Sequence, residues 1–397
     1  MKGFKVRLLP TEEQEKNLWL NASAARFSWN WGLGYQMERF KNGEPFLSAY
    51  DLRKHLLSLK SSDENFYWLN EVSSKAIAFA ILDLGTAYKR FFALQKKGKK
   101  FSDNKRKYAA RNGKSLTPYD MIGHPKFKKK GLVTPSFGQP NDMLYFTDGC
   151  AVLLKIGRVK VQTNLVFPQG RTSGKYYNPR VSYVNGKWIL SFSMGVENQD
   201  YTLNDYSVGV DLGIKTLATV SCNGEKLVFP NINKTSKVKS IKKQLKMVQR
   251  KFSKSKKGSA NKRKVYDRIR ALYYKLSNIR KDHTHKTTRK VVDLLPSRIV
   301  IEDLNVSGMM KNRHLSKAIS EQTFYEFRRQ LEYKCSARGI ELVIADRFFP
   351  SSKRCSCCGA ILKTLTLKDR VFNCPSCGLS LDRDFNAALN LESYTGK

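Results

Sequence analysis

The chain has 397 residues, 41% of them hydrophobic, enough for roughly two to four domains with cores of their own. Lys and Arg outnumber Asp and Glu by 73 to 33, a net charge of +40, so the fold works against its own repulsion unless a polyanion supplies counter-charge. Nucleic acid is therefore the expected partner. No apolar run reaches the ~20 residues of a spanning helix, and "MKGFKVRLLPTEEQ" lacks a charged-then-apolar leader, so a soluble, intracellular protein without a membrane partner is expected.

"KGFKVRLLP" alternates apolar and basic residues as a strand does, and Thr11 with Gln14 then makes a capping-box pattern that opens a helix through Leu18, Trp19 and Phe27. "DLRKHLLSLK" and "SSKAIAFAILDLGTAYKRFFALQKKGKK" continue the helical spacing, so 11–100 reads as a helical bundle. From Phe101 to Lys130 the chain reads as basic loop. Strand-like runs follow, with Asn185-Gly186 as a hairpin turn, and predict a small β-domain over 101–205 completed by strand 1–10.

"YSVGVDLGIKTLATVSCNGEKLVF" predicts strands joined by tight turns at Gly213 and Asn223-Gly224. Two long helices then fill about 235–295, with Ile241, Leu245, Val248 and Phe252 lining one and Val265, Ile269, Leu272, Leu276 and Ile279 the other, as in an antiparallel pair. "SRIVIEDL" reads as a buried strand, "EQTFYEFRRQLEYKCSARG" as an amphipathic helix stopped by Gly339, and "IELVIADRF" as another strand.

Five of the eight cysteines crowd into the last segment, which points to a metal site in a reducing compartment; Cys150, Cys222 and Cys335 stand alone and read as buried small hydrophobes. Cys355 and Cys358 form one C-x-x-C followed by Gly359, and Cys374 and Cys377 another followed by Gly378. Four thiolates at this spacing suit a structural Zn²⁺, with "LTLKDRVFN" as ribbon strands between the knuckles. Cys357 could also reach the metal, but the 355/358 choice gives both knuckles one form.

Three acids border apolar elements: Asp211 after "SVGV", Glu302 after "RIVI", and Asp384 in the first turn of "DRDFNAALNL". Carboxylates converging in a half-buried site repel unless cations neutralise them, and hard oxygen ligands select Mg²⁺ or Mn²⁺. Two such ions can activate water and stabilise the leaving oxygen of a phosphodiester. Asp303 and Asp382 compete for these roles. Alternation favours Glu302, which shares a strand face with Val300, and the small Ala387-Ala388 face favours Asp384.

"GVDLGIKTLATVS", "IRKDHTHKTTRKVVDLLPSRIVIEDLNVSGMMKN", "FYEFRRQLEYKCSARGIELVIADRFFPSSKRCSCCG" and "CPSCGLSLDRDFNAALNL" together resemble the TnpB proteins of IS200/IS605-type transposons, relatives of the compact Cas12 nucleases. The match runs from Tyr206 to Leu391, with a looser likeness before it. The resemblance implies an α+β multidomain protein: a helical recognition bundle (11–100) and a β-barrel or wedge domain (1–10 and 101–205), then an RNase H-like RuvC nuclease domain (206–349) with the helical insertion at about 235–295. A zinc ribbon (350–380) that binds target nucleic acid and a final RuvC segment with tail (381–397) complete it.

It also implies an Mg²⁺-dependent DNA endonuclease. A guide RNA transcribed from the transposon end would pair with target double-stranded DNA beside a short adjacent motif, and two metal ions would sit on Asp211, Glu302 and Asp384, the family's D-x-G, E-D-L and D-x-N-A-A acids. A cytoplasmic, nucleoid-acting monomer is expected. The alternatives are a compact Cas12-like CRISPR effector, a strand-joining transposase and a zinc-ribbon DNA-binding regulator. The basic stretches 101–130 and 253–264 are candidate phosphate contacts. Tyr35, Phe40, Tyr67 and Trp68 could stack bases or simply build core. His283 and His285 read as a surface or packing feature.

Overall fold

The computed structural model describes residues 1–98, 100–168, 170, 175–196, 200–366 and 369–396. They fall into two compact units, Met1–Val196 and Glu197–Lys397.

The first unit opens with β1 (Lys2–Leu9) and α1 (Glu12–Lys41), whose start is a complete capping box: the Gln14 N–H donates to Thr11 Oγ1 at 3.3 Å and the Thr11 N–H to Gln14 Oε1 at 3.1 Å. Helices α2 (Ala49–Ser62) and α3 (Ser74–Lys96) pack with α1 around Leu33, Leu52, Leu56, Ile77, Ile81 and Leu84. Tyr35 stacks on Trp31 with centroids 5.4 Å apart, and Trp68 packs edge-on against Phe27, so both serve this core, whereas Phe40 and Tyr67 are exposed. The basic stretch after Phe101 is not all loop. It contains α4 (Asp103–Arg111), which Ser102 caps by accepting from the Lys105 N–H; this cap supplies a helix start that the run of charges obscured.

Strands β2 (Ser136–Gly138), β3 (Tyr145–Thr147), β4 (Cys150–Leu153), β5 (Gly157–Gln162), β6 (Tyr176–Val184) and β7 (Lys187–Met194) join β1 in one sheet of order β2-β6-β7-β1-β5-β4-β3. Asn185 and Gly186, with φ of 50° and 80°, make the primed turn between β6 and β7. Laid flat, seven strands would separate the edge strands β2 and β3 by ~29 Å. The chain from Gly138 to Tyr145 reaches only ~24 Å, so the sheet curls around Phe137, Phe146, Tyr176 and Phe192.

The second unit begins with β8 (Asn204–Leu212), β9 (Thr216–Cys222) and β10 (Glu225–Pro230), an antiparallel meander. Helices α5 (Ser236–Lys254) and α6 (Ala260–Val292) zip along Ile241, Leu245, Ile269, Leu272 and Leu276. Then come β11 (Pro296–Glu302), α7 (Val306–Met309), α8 (Ser316–Gln322), α9 (Phe324–Ser336) and β12 (Glu341–Ala345). Thr323, at φ 58°, breaks α8 from α9, so the amphipathic helix expected from Glu321 starts only at Phe324. The sheet order is β10-β9-β8-β11-β12, with β11 parallel to both neighbours.

Alternation divides this sheet's faces. Val208, Val210, Ile299 and Ile301 pack on Val291, Val292, Phe327 and Leu331, and Cys335 is buried with them; Cys150 and Cys222 are only half-buried. The other face receives the last helix, α10 (Arg383–Glu392), through Val300, Ala345 and Leu391. A small hairpin, β13 (Val371–Asn373) with β14 (Ser380–Asp382), precedes α10; Leu367 and Lys368 of the expected ribbon segment lie outside the described residues.

Candidate active site and cysteine centre

Parallel pairing puts Ile301 opposite Val210, so the next residues on the adjoining strands are Glu302 and Asp211. Asp211 shares its strand face with Gly209, and Glu302 shares its face with Val300, the face covered by α10. Gly209 permits that approach. A Cβ there would lie 2.0 Å from the Ala388 carbonyl oxygen and 2.3 Å from the Glu392 nitrogen, both backbone atoms, so any larger residue would lift the helix. Ser221 of β9 donates to Glu392 from the same face.

Asp384 is in the first turn of α10, beside the acids on the sheet. Burial pushes the Asp211 carboxyl well above the ordinary range, and the charges of Glu302 and Asp384 push the same way, with Arg383 opposing. Burial raises Glu302 as well; a hydrogen bond from Ser351 opposes that rise and Asp384 adds to it. Carboxyls gathered in a half-buried site could hold cations, and oxygen donors suit Mg²⁺ or Mn²⁺. Arg383 tempers the repulsion through a 3.1 Å ion pair with Asp384.

The competing acids have partners of their own, although the charge of Asp382 also acts on Asp211. Asp303 is ion-paired with Arg328 at 3.3 Å and with Arg347. Asp382 is the N-cap of α10, accepting from the Phe385 N–H at 3.0 Å, and pairs with Lys226 at 3.3 Å.

Cys355, Cys358, Cys374 and Cys377 meet with all four sulfurs within 4.8 Å, and the Cys355–Cys377 and Cys358–Cys374 separations are both 3.6 Å. Sulfurs ~2.3 Å from a tetrahedral Zn²⁺ stand ~3.8 Å apart, so the donor set fits that ion. The knuckles repeat one backbone pattern: Cys355 N–H to the Ala360 carbonyl and Gly359 N–H to the Cys355 carbonyl, then Cys374 N–H to Leu379 and Gly378 N–H to Cys374. Both glycines have φ 76°. Cys357 is exposed and outside the set. His283 meets the Pro230 carbonyl at 2.9 Å, a packing contact.

Sequence reasoning missed three polar residues. Ser351 touches Glu302, and Asn386 and Asn390 are fully buried on α10 with their amides on the backbone at 351–356. The available signal was two amides four residues apart inside an otherwise apolar helical face, where an unpaired amide would be costly.

Among known proteins, an InsQ protein of Escherichia coli K12, "Putative RNA-guided DNA endonuclease", is 30% identical over 98% of this chain and 91% of its own. The chain belongs to the TnpB family. A relative from Streptomyces pristinaespiralis with the same description is 29% identical over 98% of this chain and 88% of its own. Family models match at 191–313 ("Probable transposase" of the IS605 OrfB type), 324–391 (a Cas12f1-like TNB domain) and 1–45 ("Helix-turn-helix domain"). The last segment folds here as β1 and one 30-residue helix. A looser likeness, at TM-score 0.49 and 12% identity, covers 98% of this chain and 91% of the mini-RNA-guided endonuclease CRISPR-Cas_phi3. No helix among the described residues is long and apolar enough to cross a membrane.

Proposed function

We propose that this TnpB-family protein is an RNA-guided DNA endonuclease that cuts target DNA beside a short adjacent motif with RuvC-type chemistry. The observation that carries the reading is the buried juxtaposition of Asp211 and Glu302 on neighbouring parallel strands with Asp384 facing them, in a chain whose full-length relatives are named as such endonucleases. Asp211, Glu302 and Asp384 would hold Mg²⁺ ions, which when bound would supply water activation and neutralisation of the leaving oxygen of the phosphodiester.

The second unit supplies an RNase H-like nuclease core from β8–β12 and α10, interrupted by the α5–α6 insertion and by a zinc ribbon on Cys355, Cys358, Cys374 and Cys377. The domain limits are those set out from the sequence. Helical recognition (11–100) and wedge (1–10 and 101–205) regions hold guide RNA and target by shape and charge. The exposed Lys237, Lys239, Lys243, Lys246 and Arg250 of α5 suit the phosphates of such a ligand. The protein works as a cytoplasmic monomer on the nucleoid.

The test is to purify the protein expressed with its flanking locus, sequence the bound RNA, and challenge the complex with guide-matched DNA. One abundant RNA ending in sequence from beyond the transposon end, with Mg²⁺-dependent cutting lost in Asp211→Ala while RNA is retained, is the expected result. A repeat-array RNA would make it a CRISPR effector; a Cas12f1 is 26% identical over 52% of this chain and 50% of its own. Random RNA and no cutting would overturn the proposal.

A further inference from the structure

One short strap serves both centres. The backbone from Ser351 to Ser356 begins at the serine that hydrogen-bonds Glu302 and includes Cys355, the first of the four thiols. Two buried amides of α10 fasten it. Asn390 Nδ2 donates to the Ser351 carbonyl at 2.9 Å and to the Arg354 carbonyl at 2.7 Å. Asn386 Nδ2 donates to the same Arg354 carbonyl at 2.7 Å, and its Oδ1 accepts the Ser356 N–H at 3.0 Å. Asn386 is 0% and Asn390 2% exposed, and Ser351 is 4% exposed, so water cannot replace these bonds cheaply. The same helix carries Asp384. Cys355 and the serine that holds Glu302 are thus tied to each other and to α10 by the same buried bonds.

We infer that Ser351, Asn386 and Asn390 are positioning residues that couple the four-cysteine centre to the acidic site, so that metal held by the thiols sets the Glu302 carboxylate and cations at the acids tighten the grip on the thiol-bound metal. This rests on the nuclease reading for its catalytic consequence, but the coupling is a property of two metal sites and is reciprocal by linkage.

The experiment uses the full-length protein with its copurified RNA and follows zinc transfer to a chromogenic chelator, with and without millimolar Ca²⁺ as a non-turnover occupant of the acids. In wild type Ca²⁺ slows zinc release several-fold. Ser351→Ala keeps one zinc per chain but loses the Ca²⁺ effect, and Ser351→Thr restores it. Asn390→Asp, nearly isosteric but without the N–H donors, releases zinc faster whether or not Ca²⁺ is present. In cleavage, Ser351→Ala raises the half-saturating Mg²⁺ concentration about tenfold, the scale of one charge-assisted hydrogen bond.

Zinc release indifferent to Ca²⁺ in wild type, or unchanged by both Ser351→Ala and Asn390→Asp, overturns the coupling even if the enzyme cuts DNA. A preparation that never cuts DNA but shows Ca²⁺-dependent zinc release abolished by Ser351→Ala upholds the coupling and overturns the nuclease reading instead.

Discussion

Gly209 and Ala388 are in backbone contact: the space a Cβ would need on the strand is occupied by the carbonyl oxygen of the helix. That contact lets Asp384 reach the strand acids. Gly209→Ala must push α10 outward, at a cost near or above the ~3 kcal/mol upper end of ordinary overpacking. Thermal unfolding should show the loss, and cleavage should fall with it; a variant with wild-type melting and activity would refute the close docking of the helix.

Glu302 and Asp303 are neighbours with opposite employment. Glu302→Gln should reduce cleavage at least about a thousandfold, the several kcal/mol expected of a metal-binding carboxylate, while RNA binding is retained. Asp303→Ala should leave cleavage within a few-fold and cost about 0.5–1 kcal/mol in unfolding free energy, because its partners Arg328 and Arg347 are about half exposed to solvent. The reverse pattern in a guided-cleavage assay would reassign the second acid.

The raised Asp211 and Glu302 carboxyls give the metal-free protein a signed pH dependence. A carboxyl protonated more readily in the folded than the unfolded state contributes stability that is full below the unfolded value near 4 and is lost as pH rises through the folded one. Without divalent ions, this contribution to the melting temperature should fall from pH 4 upward, and Mg²⁺ should stabilise far more at pH 8 than at pH 5. In Asp211→Asn both effects should shrink. Equal Mg²⁺ stabilisation at the two pH values would count against cation binding at these acids.

Among its described residues the knuckle region has a hydrophobic cluster of Cys355, Phe372 and Cys374, with Ala360, Leu362, Leu365 and Leu379 partly covered, too small a core to stand unaided. Removing the metal should unfold it locally. Cys374→Ser should abolish zinc content measured by elemental analysis and open residues 350–380 to amide exchange, whereas Cys357→Ser should keep one zinc per chain. Loss of zinc in the Cys357 variant would place that thiol in the ligand set.

Patterns within a few residues of one another were legible in the chain itself. The Thr11–Gln14 cap, the Asn185-Gly186 turn, the stripes of the α5–α6 pair, the two knuckles and the strand-end positions of Asp211 and Glu302 all follow from local backbone chemistry and side-chain period. The sequence alone also established the excess positive charge, from which a polyanionic partner is expected. Only the tertiary structure decided which acids face one another, which carboxyl is tied up by arginines, and that Gly209 is where helix meets strand. It also decided that Ser351, 49 residues from Glu302, touches it, and that Ser221, 171 residues from Glu392, does the same there. Such contacts arise when elements distant along the chain pack face to face, and a local period carries no record of which face will meet which.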